Sequence, residues 1–246
     1  MLHLGHLQQQ TQPAAGETDW PACFRQLADS TRDDRLRRYY ARGMVTGDTL
    51  LSATPLMALD LETTGLDPVR DGIVSIGLVP MQVDRIFASR ARHWLLKPRV
   101  ALAEESVTIH GITDAQLDNA PDLTEVLDEV LQYMAGHVVV VHCSAIERGF
   151  LNGALRPRLG EGIEFPTIDT MELEARFHRK KRPGLITRLL GHKQPSIRLA
   201  ACRNRYGLPR YRPHHALTDA LACAELLQAQ IAYRFSPDTP VKVLWS

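Results

Sequence analysis

The sequence predicts an α/β fold in which helices flank a mixed sheet. Three strand-like segments come early in the main part of the chain, over residues 56–61, 72–80 and 85–96. From about residue 121 onward, amphipathic helices alternate with short apolar strands, as in sheets whose strands are joined by crossover helices. The uniformly apolar run Val138–Val141 is short and suits a buried strand of such a sheet.

Local signals place the helices between and after these strands. Residues 121–135 carry Leu, Val and Met at helical spacing, and Gly136 ends that pattern. Thr113 or Asp114 is the expected N-cap of a short helix. Beyond the run of valines we expect helices from about residue 145, from Met171, over 196–206 and over 216–232, with a short strand over 165–168.

The chain divides into three regions by composition. Residues 1–50 begin with a small, polar stretch for which we expect disorder, followed by apolar residues at helical spacing from Trp20 to about Arg42. One or two amphipathic helices packed on the main domain are expected there. The α/β domain is assigned to residues 51–235, and residues 236–246 are assigned to a C-terminal tail.

Composition excludes several classes of protein. With 44% hydrophobic and 23% charged residues, the chain has the make-up of a soluble globular protein. No apolar run approaches the ~18 residues of a membrane-spanning helix. The N-terminus has no secretory pattern, so a cytoplasmic location and no membrane partner are expected. The four cysteines form no paired metal or redox motif, so reduced and mostly buried thiols are expected.

The net charge of +1 conceals an uneven distribution of charge along the chain. Between Arg176 and Arg212 there are twelve Lys or Arg residues and no Asp or Glu. A basic segment beside a group of carboxylates can attract a polyanion such as a nucleic acid while metal ions bind beneath it. A solvated loop explains the most basic stretch, Arg179–Arg182, equally well, and the sequence does not choose between the two.

Two carboxylates, Asp60 and Glu62, lie at the end of the first predicted strand. Side chains two apart in a strand project from the same face, so both carboxylates converge there. Their repulsion in an apolar setting is costly unless cations compensate it. A solvated edge strand would explain the pair without a metal, although the apolar run Leu56–Leu59 argues for a buried strand.

Three more residues could join this pair. Glu147 lies in the first turn of the helix after the valine strand, where helix polarity alone favours a carboxylate. His214 precedes the last long helix and Asp219 lies in its first turns; an imidazole there suits a general base near neutral pH. His215 offers the same chemistry, and spacing alone does not choose between the two histidines. Four carboxylates and one imidazole are what a two-metal phosphodiester hydrolase needs.

Together these fragments resemble the DnaQ-like 3′-to-5′ exonucleases, the DEDDh group with a ribonuclease H-like core, over about residues 56–230. The segment DLETTGLDP is similar to the family's first motif, which carries Asp60 and Glu62. The segment VVHCSAIERGFL is similar to the second motif. The segment HHALTDA is similar to the third, which requires a histidine five residues before an aspartate and so points to His214 with Asp219. Between the motifs, the HGIT and IDT segments also fit the family pattern.

The resemblance implies a ribonuclease H-like fold and an enzyme, a metal-dependent 3′-to-5′ exonuclease that releases nucleoside 5′-monophosphates. DNA is favoured over RNA as the substrate. The implied partners are the 3′ end of a single strand and a DNA polymerase or repair complex, as for the proofreading subunits of this family.

The resemblance also implies which residues act. Two divalent ions, Mg²⁺ or Mn²⁺, would be held by the four carboxylates, with His214 taking the proton of the attacking water. Family positions that contact the sugar and base of the last nucleotide fall on Thr63, Ile109 and His110. The implied metal ligands are Asp60, Glu62, Glu147 and Asp219.

Two positions depart from the family pattern. The second motif usually has Asp where this chain has Glu147, and usually has Asn where it has Cys143. Glutamate is still a hard oxygen ligand, but it is one methylene longer, so the ions must shift or the contact must pass through water. A catalytically weakened nucleic-acid-binding or polymerase-associated module therefore stays open as an alternative to an active DNA exonuclease. An exoribonuclease that trims RNA stays open as well, because the sequence does not display contacts to the 2′-OH.

Overall fold

A mixed sheet lies at the centre of the described part of the molecule. The computed structural model describes residues 18–102, 104–180 and 195–246. Its five strands are β1 (Leu56–Thr63), β2 (Ile73–Met81), β3 (Arg92–Leu95), β4 (Val138–Val141) and β5 (Thr167–Asp169). They lie in the order β3-β2-β1-β4-β5; β2 is antiparallel to β1 and β3, whereas β4 and β5 extend the sheet in parallel. The predicted α/β class with a mixed sheet is confirmed.

Nine α-helices accompany the sheet in the described part of the chain. They are α1 (Trp20–Ser30), α2 (Asp34–Ala41), α3 (Glu104–His110), α4 (Asp114–Leu117), α5 (Leu123–Met134), α6 (Ser144–Leu159), α7 (Thr170–Lys180), α8 (Leu199–Arg205) and α9 (Ala216–Arg234). Helix α9 packs across β1 and β2 and also contacts α7 and α8. Helix α6 contacts β1, β2 and β5, and α2 packs against α5.

The first and third predicted strands differ from the observed ones in length. Strand β1 runs on to Thr63, so that both carboxylates of the first motif belong to the strand. The prediction of a third strand over 85–96 is wrong in extent, because β3 begins only at Arg92. A tight turn in which Gln82 and Arg85 exchange backbone hydrogen bonds, and a 3₁₀ turn further on, occupy the intervening residues.

Helices α1 and α2 line one part of the core with aromatic side chains. Asp19 and Asp33 cap them by accepting hydrogen bonds from backbone N–H groups of the first turn. Phe24 and Tyr40 are buried, with ring centroids 5.2 Å apart in an edge-to-face contact. The helical extension therefore shares the core of the sheet. The stretch for which disorder is predicted, residues 1–17, lies outside the described residues.

The C-terminal residues 236–246, which the sequence assigns to a tail, are packed against the core. Val241, Leu244 and Trp245 are buried in the same core as the sheet. Ser246 exchanges two backbone hydrogen bonds with Thr167, which adds a short pairing to β5. From sequence alone, a short apolar segment after a long helix looks like a tail, because its partner strand β5 is remote in sequence.

The thiols are unpaired, as the sequence predicts. All four cysteines are free; Cys202 and Cys223 are buried, and Cys23 and Cys143 are half-buried. Among the described helices, none is both long enough and apolar enough to cross a lipid bilayer.

Candidate metal centre and active-site cleft

Strand alternation places the first two carboxylates on the face of the sheet where α9 begins. Asp60 and Glu62 lie two residues apart on β1, directly opposite Gly77 and Ser75 of β2. Opposite residues of an antiparallel pair share a face, so all four positions point to the same side. Asp219 reaches them from the first turn of α9, and carboxylate oxygens of the three acids lie within 4.8 Å of one another.

A glycine makes this approach possible. A Cβ atom on Gly77 would lie 2.4 Å from the carbonyl carbon of Ala216 and 2.5 Å from the backbone nitrogen of Leu217. Backbone atoms cannot yield to such a contact as the end of a flexible side chain can. Gly77 therefore lets the first turn of α9 rest directly on β2, which brings Asp219 within reach of Asp60.

We expect Gly77→Ala to separate α9 from β2 and to weaken the metal centre. The added methyl should lower the free energy of unfolding by about 1–3 kcal/mol. Because Asp219 moves with the helix, Mn²⁺ affinity should fall by roughly tenfold or more. Loss of a residue that only orients a metal ligand already lowers metal affinity by about 10–100-fold. Calorimetric titration measures the affinity, and urea denaturation measures the stability.

Ile76→Val is the matched control for this change. Ile76 is buried on the same strand but on its other face, and losing one methylene there costs about 0.5–1.5 kcal/mol. This variant should be less stable than the wild type and should bind Mn²⁺ as the wild type does. Unchanged Mn²⁺ affinity in Gly77→Ala would contradict the role assigned to the glycine.

The three clustered carboxylates repel one another in the absence of a cation. Burial raises the pKa of Asp60, and the carboxylates of Glu147, Asp219 and Glu62 raise it further. Burial, and then Asp219, raise the pKa of Glu62 to about 8. Burial also raises the pKa of Asp219, against the opposing effect of the backbone N–H of His214. A divalent cation would offset this repulsion, and hard oxygen atoms are the ligands that such ions prefer.

Glu147 lies deeper than the other three carboxylates. It is in the first turn of α6 and is 4% exposed, and among the described residues it lies outside the group whose oxygens come within 4.8 Å. Burial and then Asp169 raise its pKa. Its Oε2 atom is buried and has no hydrogen-bond partner among the described residues. Since proteins rarely leave such an atom unsatisfied, this oxygen near Asp60 fits a second cation.

Asp169 ties together the starts of the two helices that follow β4 and β5. Its Oδ2 atom accepts a hydrogen bond from the backbone N–H of Ser144 at 2.8 Å. Its Oδ1 atom accepts one from the N–H of Met171 at 2.9 Å. One carboxylate therefore caps both α6 and α7 and positions the turn that carries Glu147. This is the structural role of the IDT segment.

The two adjacent histidines have different environments. His214 is exposed and has a left-handed backbone with φ of 68°, and its N–H donates to Oδ2 of Asp219 at 2.7 Å. His215 is the N-cap of α9, since its Nδ1 accepts a hydrogen bond from the N–H of Thr218 at 3.4 Å. Its ring also lies against that of His93, with 4.7 Å between centroids. Both histidines are exposed: the side chain of His215 is engaged at the helix start, whereas the backbone N–H of His214 is bound to Asp219.

A cleft of about 500 Å³ opens beside His214. Its lining includes His110, Tyr211 and Arg212. Nδ1 of His110 accepts a hydrogen bond from the N–H of Ile112 at 3.0 Å, so Nε2 carries the proton of the neutral ring. That Nε2 is buried without a partner among the described residues, and burial, followed by His214, lowers the pKa of His110. His110 is therefore a neutral hydrogen-bond donor in the lining of the cleft.

Thr63 and Ile109 are the other two residues predicted to contact the substrate. The hydroxyl of Thr63 donates to the carbonyl oxygen of Gly65 at 2.6 Å, so it holds the turn after β1. The side chain of Ile109 lies outside the described residues, although its backbone belongs to α3. The contact of Thr63 and Ile109 with a nucleotide stays a prediction.

Some arginines of the basic segment serve the fold. Arg203 pairs with Glu225 at 2.7 Å, and Arg205 pairs with the buried Glu174 at 2.8 Å. These pairs hold α8 against α9 and α7, so the two guanidinium groups are occupied within the protein. Side chains of the most basic stretch, residues 179–182, lie outside the described residues. The exposed arginines of the segment include Arg198, Arg210 and Arg212.

Comparison with known proteins decides the family. A family model for exonucleases, described as RNase_T, matches residues 57–227. The chain belongs to this exonuclease family. The matched region of the exonuclease domain begins within β1 and ends within α9, so it spans the sheet and all four candidate ligands.

Two curated relatives carry names of DNA polymerase III proteins. The exonuclease domain is 31% identical over 177 residues to the DNA polymerase III subunit epsilon of Treponema pallidum, a match that covers 72% of this chain and 76% of that protein. It is 32% identical over 182 residues to the PolC-type DNA polymerase III of Thermotoga maritima. That second match covers 74% of this chain but 12% of the polymerase, so the chain spans a small part of the PolC-type relatives.

Solved structures share the fold of the exonuclease domain at low sequence identity. The nuclease domain of 3′hExo, a DEDDh family member bound to rAMP, superposes with a TM-score of 0.60 at 17% identity, over 73% of this chain and 92% of that one. Exonuclease X in complex with 5′ overhanging duplex DNA gives 0.55 at 22% identity, over 77% and 99%. These likenesses show that the domain shares its fold with solved exonuclease structures, one of them a DEDDh family member. The family uses divalent metal ions, and the three clustered carboxylates suit them.

Sequence reasoning did not single out three residues that shape this site. Gly77 carries a usable signal, because an isolated glycine within a strand marks a close approach of another backbone. Ser75 and His93 carry none, because a polar residue in a strand is ordinary until its partner is known. The hydrogen bond of Ser75 to His93 and the contact of His93 with His215 are visible only in the folded chain.

Proposed function

We propose that this domain removes nucleoside 5′-monophosphates one at a time from the 3′ end of single-stranded nucleic acid, with DNA preferred over RNA. The observation that carries the proposal is the group of oxygens from Asp60, Glu62 and Asp219 within 4.8 Å. Beside it lie the exposed His214 and a cleft of about 500 Å³. Hard ligands next to a proton acceptor suit hydrolysis of a phosphodiester by water.

Two divalent ions, Mg²⁺ or Mn²⁺, are the proposed cofactors. Asp60 would contribute to both ion sites, and Glu62 and Asp219 would complete one of them. The unpartnered oxygen of Glu147 would support the other. When bound, the ions would supply Lewis-acid stabilisation of the charge at the scissile phosphate.

His214 is the proposed general base. Its backbone N–H is bound to Asp219, so the imidazole is carried beside a proposed ligand. It would accept the proton of the water that attacks phosphorus, while the bond from phosphorus to the 3′ oxygen of the preceding nucleotide breaks. That oxygen then takes a proton from solvent. Proton acceptance by a positioned histidine contributes about 10²–10⁴-fold to such reactions.

The cleft offers groups that hold a nucleotide without reading its base. His110 provides a neutral N–H donor, and Arg212 provides a cation for a phosphate. The preference for DNA is supported by the names of relatives, which are DNA polymerase III components. A structural neighbour is bound to rAMP, so RNA must be part of any test.

Association with a DNA polymerase or a repair complex is part of the proposal. It is supported by the similarity to a polymerase III epsilon subunit. Helices α1 and α2 precede the region that the family model matches, and they bury their aromatic faces on this core. Their polar faces are the surface that we assign to such a partner.

The experiment compares single strands of identical sequence in DNA and RNA, labelled at either end, with Mg²⁺ or Mn²⁺. We expect mononucleotides as the first product from 3′-labelled strands and a ladder of stepwise shortening from 5′-labelled strands, faster for DNA. The metal dependence is checked with EDTA.

Different failures lead to different conclusions. Internal fragments or dinucleotides as first products would exclude the proposed reaction. Tight binding of both strands with no turnover under either metal would favour the catalytically weakened module. Faster shortening of the RNA strand would favour an exoribonuclease that trims RNA.

A further inference from the structure

Three residues on adjacent strands form a row beneath the start of α9. Asp60, Gly77 and His93 lie side by side on β1, β2 and β3. Opposite residues in antiparallel pairs share a face, so all three point toward the start of α9. The backbone of Ala216 rests on Gly77. The carboxylate of Asp60 lies on one side of this contact and the imidazole of His93 on the other.

His93 holds the residue that follows the proposed base. Its ring and that of His215 are 4.7 Å apart between centroids and inclined by 34°. Behind it, Oγ of the fully buried Ser75 is 2.6 Å from Nε2 of His93 in a hydrogen bond. A continuous chain of contacts therefore runs from the interior of β2 to the N-cap of α9.

The other end of the same loop is held independently. Arg203 is 4% exposed and donates to the carbonyl oxygen of Pro209 at 2.8 Å, and its guanidinium group lies 4.7 Å from the ring centre of Tyr211. The hydroxyl of Tyr211 donates to Glu225 at 2.8 Å. Between these anchors, His214 has a left-handed backbone, which a residue other than glycine adopts only when its surroundings enforce it.

We propose that His93 is a positioning residue for the general base: it holds His215 and thereby fixes the backbone of His214 beside Asp219. The inference rests on the proposed function, in which His214 accepts the proton of water. His93 itself lines the cleft, and in this role it acts on the base through His215. Because Arg203 and its partners hold the other end of the loop, loss of His93 should loosen His214 without releasing the whole segment.

The test compares His93→Ala and His93→Phe with the wild type in the Mg²⁺-loaded protein. In His93→Ala we expect kcat on a 3′-labelled strand to fall roughly 10- to 100-fold, the cost of misplacing a reacting group by about 1 Å. KM and Mn²⁺ affinity should change little, and the amide proton of His214 should exchange faster. His93→Phe keeps a ring against His215 and should recover most of kcat, a rescue that mere loss of stability does not predict.

The controls separate positioning from folding. His137→Phe replaces a histidine outside the cleft and should change neither kcat nor the exchange of His214. If His93→Ala does not fold, Ser75→Ala serves instead and should move the same quantities in the same direction by less.

Two results would overturn the proposal. Wild-type kcat in His93→Ala, or a His93→Phe variant as slow as His93→Ala, excludes positioning through the ring. The exchange rate shows which premise failed. Faster exchange with wild-type kcat means that the contact holds the loop but His214 is not the base, so the fault lies in the proposed function. A lower kcat with unchanged exchange places the fault in the positioning argument itself.

Discussion

Asp60→Asn is expected to abolish exonuclease activity while making the metal-free protein more stable. Burial raises the pKa of Asp60, and so do the carboxylates of Glu147, Asp219 and Glu62. Asp60 is therefore close to each of the other three acids of the site. Removing its charge removes a proposed ligand of both ions. The rate should fall by more than about 10³-fold, since even outer-shell partners of metal ligands are worth about 10–100-fold. It is measured on a 3′-labelled strand with saturating Mg²⁺ or Mn²⁺.

The gain in stability should depend on pH. The pKa of Asp60 is raised by burial and by its neighbours, and that of Glu62 is raised from 4.5 to about 8. A carboxyl group with a higher pKa in the folded protein binds its proton more tightly when folded, so stability falls as pH rises through that interval. In EDTA, the wild type should therefore lose stability between pH 4.5 and pH 8. At the upper end, Asp60→Asn should be more stable than the wild type by about 1–3 kcal/mol.

Asp84→Asn is the control for this prediction. Asp84 is exposed, and its substitution makes the same change in net charge. It should alter neither the rate nor the dependence of stability on pH. Saturating Mg²⁺ should stabilise the wild type and Asp84→Asn but not Asp60→Asn, because a ligand stabilises only the state that binds it. An Asp60→Asn protein less stable than the wild type in EDTA at high pH would contradict the assignment.

Local geometry explains why part of the site can be predicted from the sequence. The two-residue period of a strand is enough to place Asp60 and Glu62 on one face, whatever the rest of the chain does. Asp219 joins them for a tertiary reason, because α9 rests on the backbone at Gly77. A glycine within a strand indicates that another segment of backbone approaches closely. The glycine does not identify that segment; the family resemblance does, through the third motif.

The remaining features depend on contacts between segments remote in sequence. The four valines of β4 can be predicted as a strand because all of them are apolar. Strand β3 is shorter than predicted because a turn precedes it, and the spacing of apolar residues does not indicate that turn. Trp245 is buried in the core, and its backbone forms a bridge to Ile168, which is remote in sequence. Its segment has no local pattern that distinguishes it from a tail.

The choice between His214 and His215 as the general base also depends on tertiary contacts. Sequence spacing allows either histidine to be the base, and the family pattern points to His214. We prefer His214 on separate grounds as well, since the side chain of His215 is engaged with Thr218 and His93. Family spacing and geometry are independent arguments, and a pair of substitutions tests both.

His214→Asn is expected to reduce kcat by about 10²–10⁴-fold, the usual contribution of a general base. Asparagine is the suitable replacement because it tolerates the left-handed backbone with φ of 68° better than most residues. The hydrogen bond from the backbone N–H to Asp219 is kept, so the carboxylates stay in place. Mn²⁺ affinity should therefore match the wild type, while single-turnover rates report the loss of the base.

His215→Asn should have a much smaller effect, because asparagine is itself a good N-cap and preserves the start of α9. What is lost is the ring contact with His93, so kcat should fall roughly tenfold through displacement of the neighbouring base.

Added imidazole distinguishes the roles of His214 and His215 further. It should restore part of the rate of His214→Gly, whose backbone keeps its freedom at that φ, since a small base can occupy the vacated position. It should restore nothing in His215→Gly, because a diffusible base cannot replace a contact that holds the loop. Rescue of the second variant and not the first would make His215 the base.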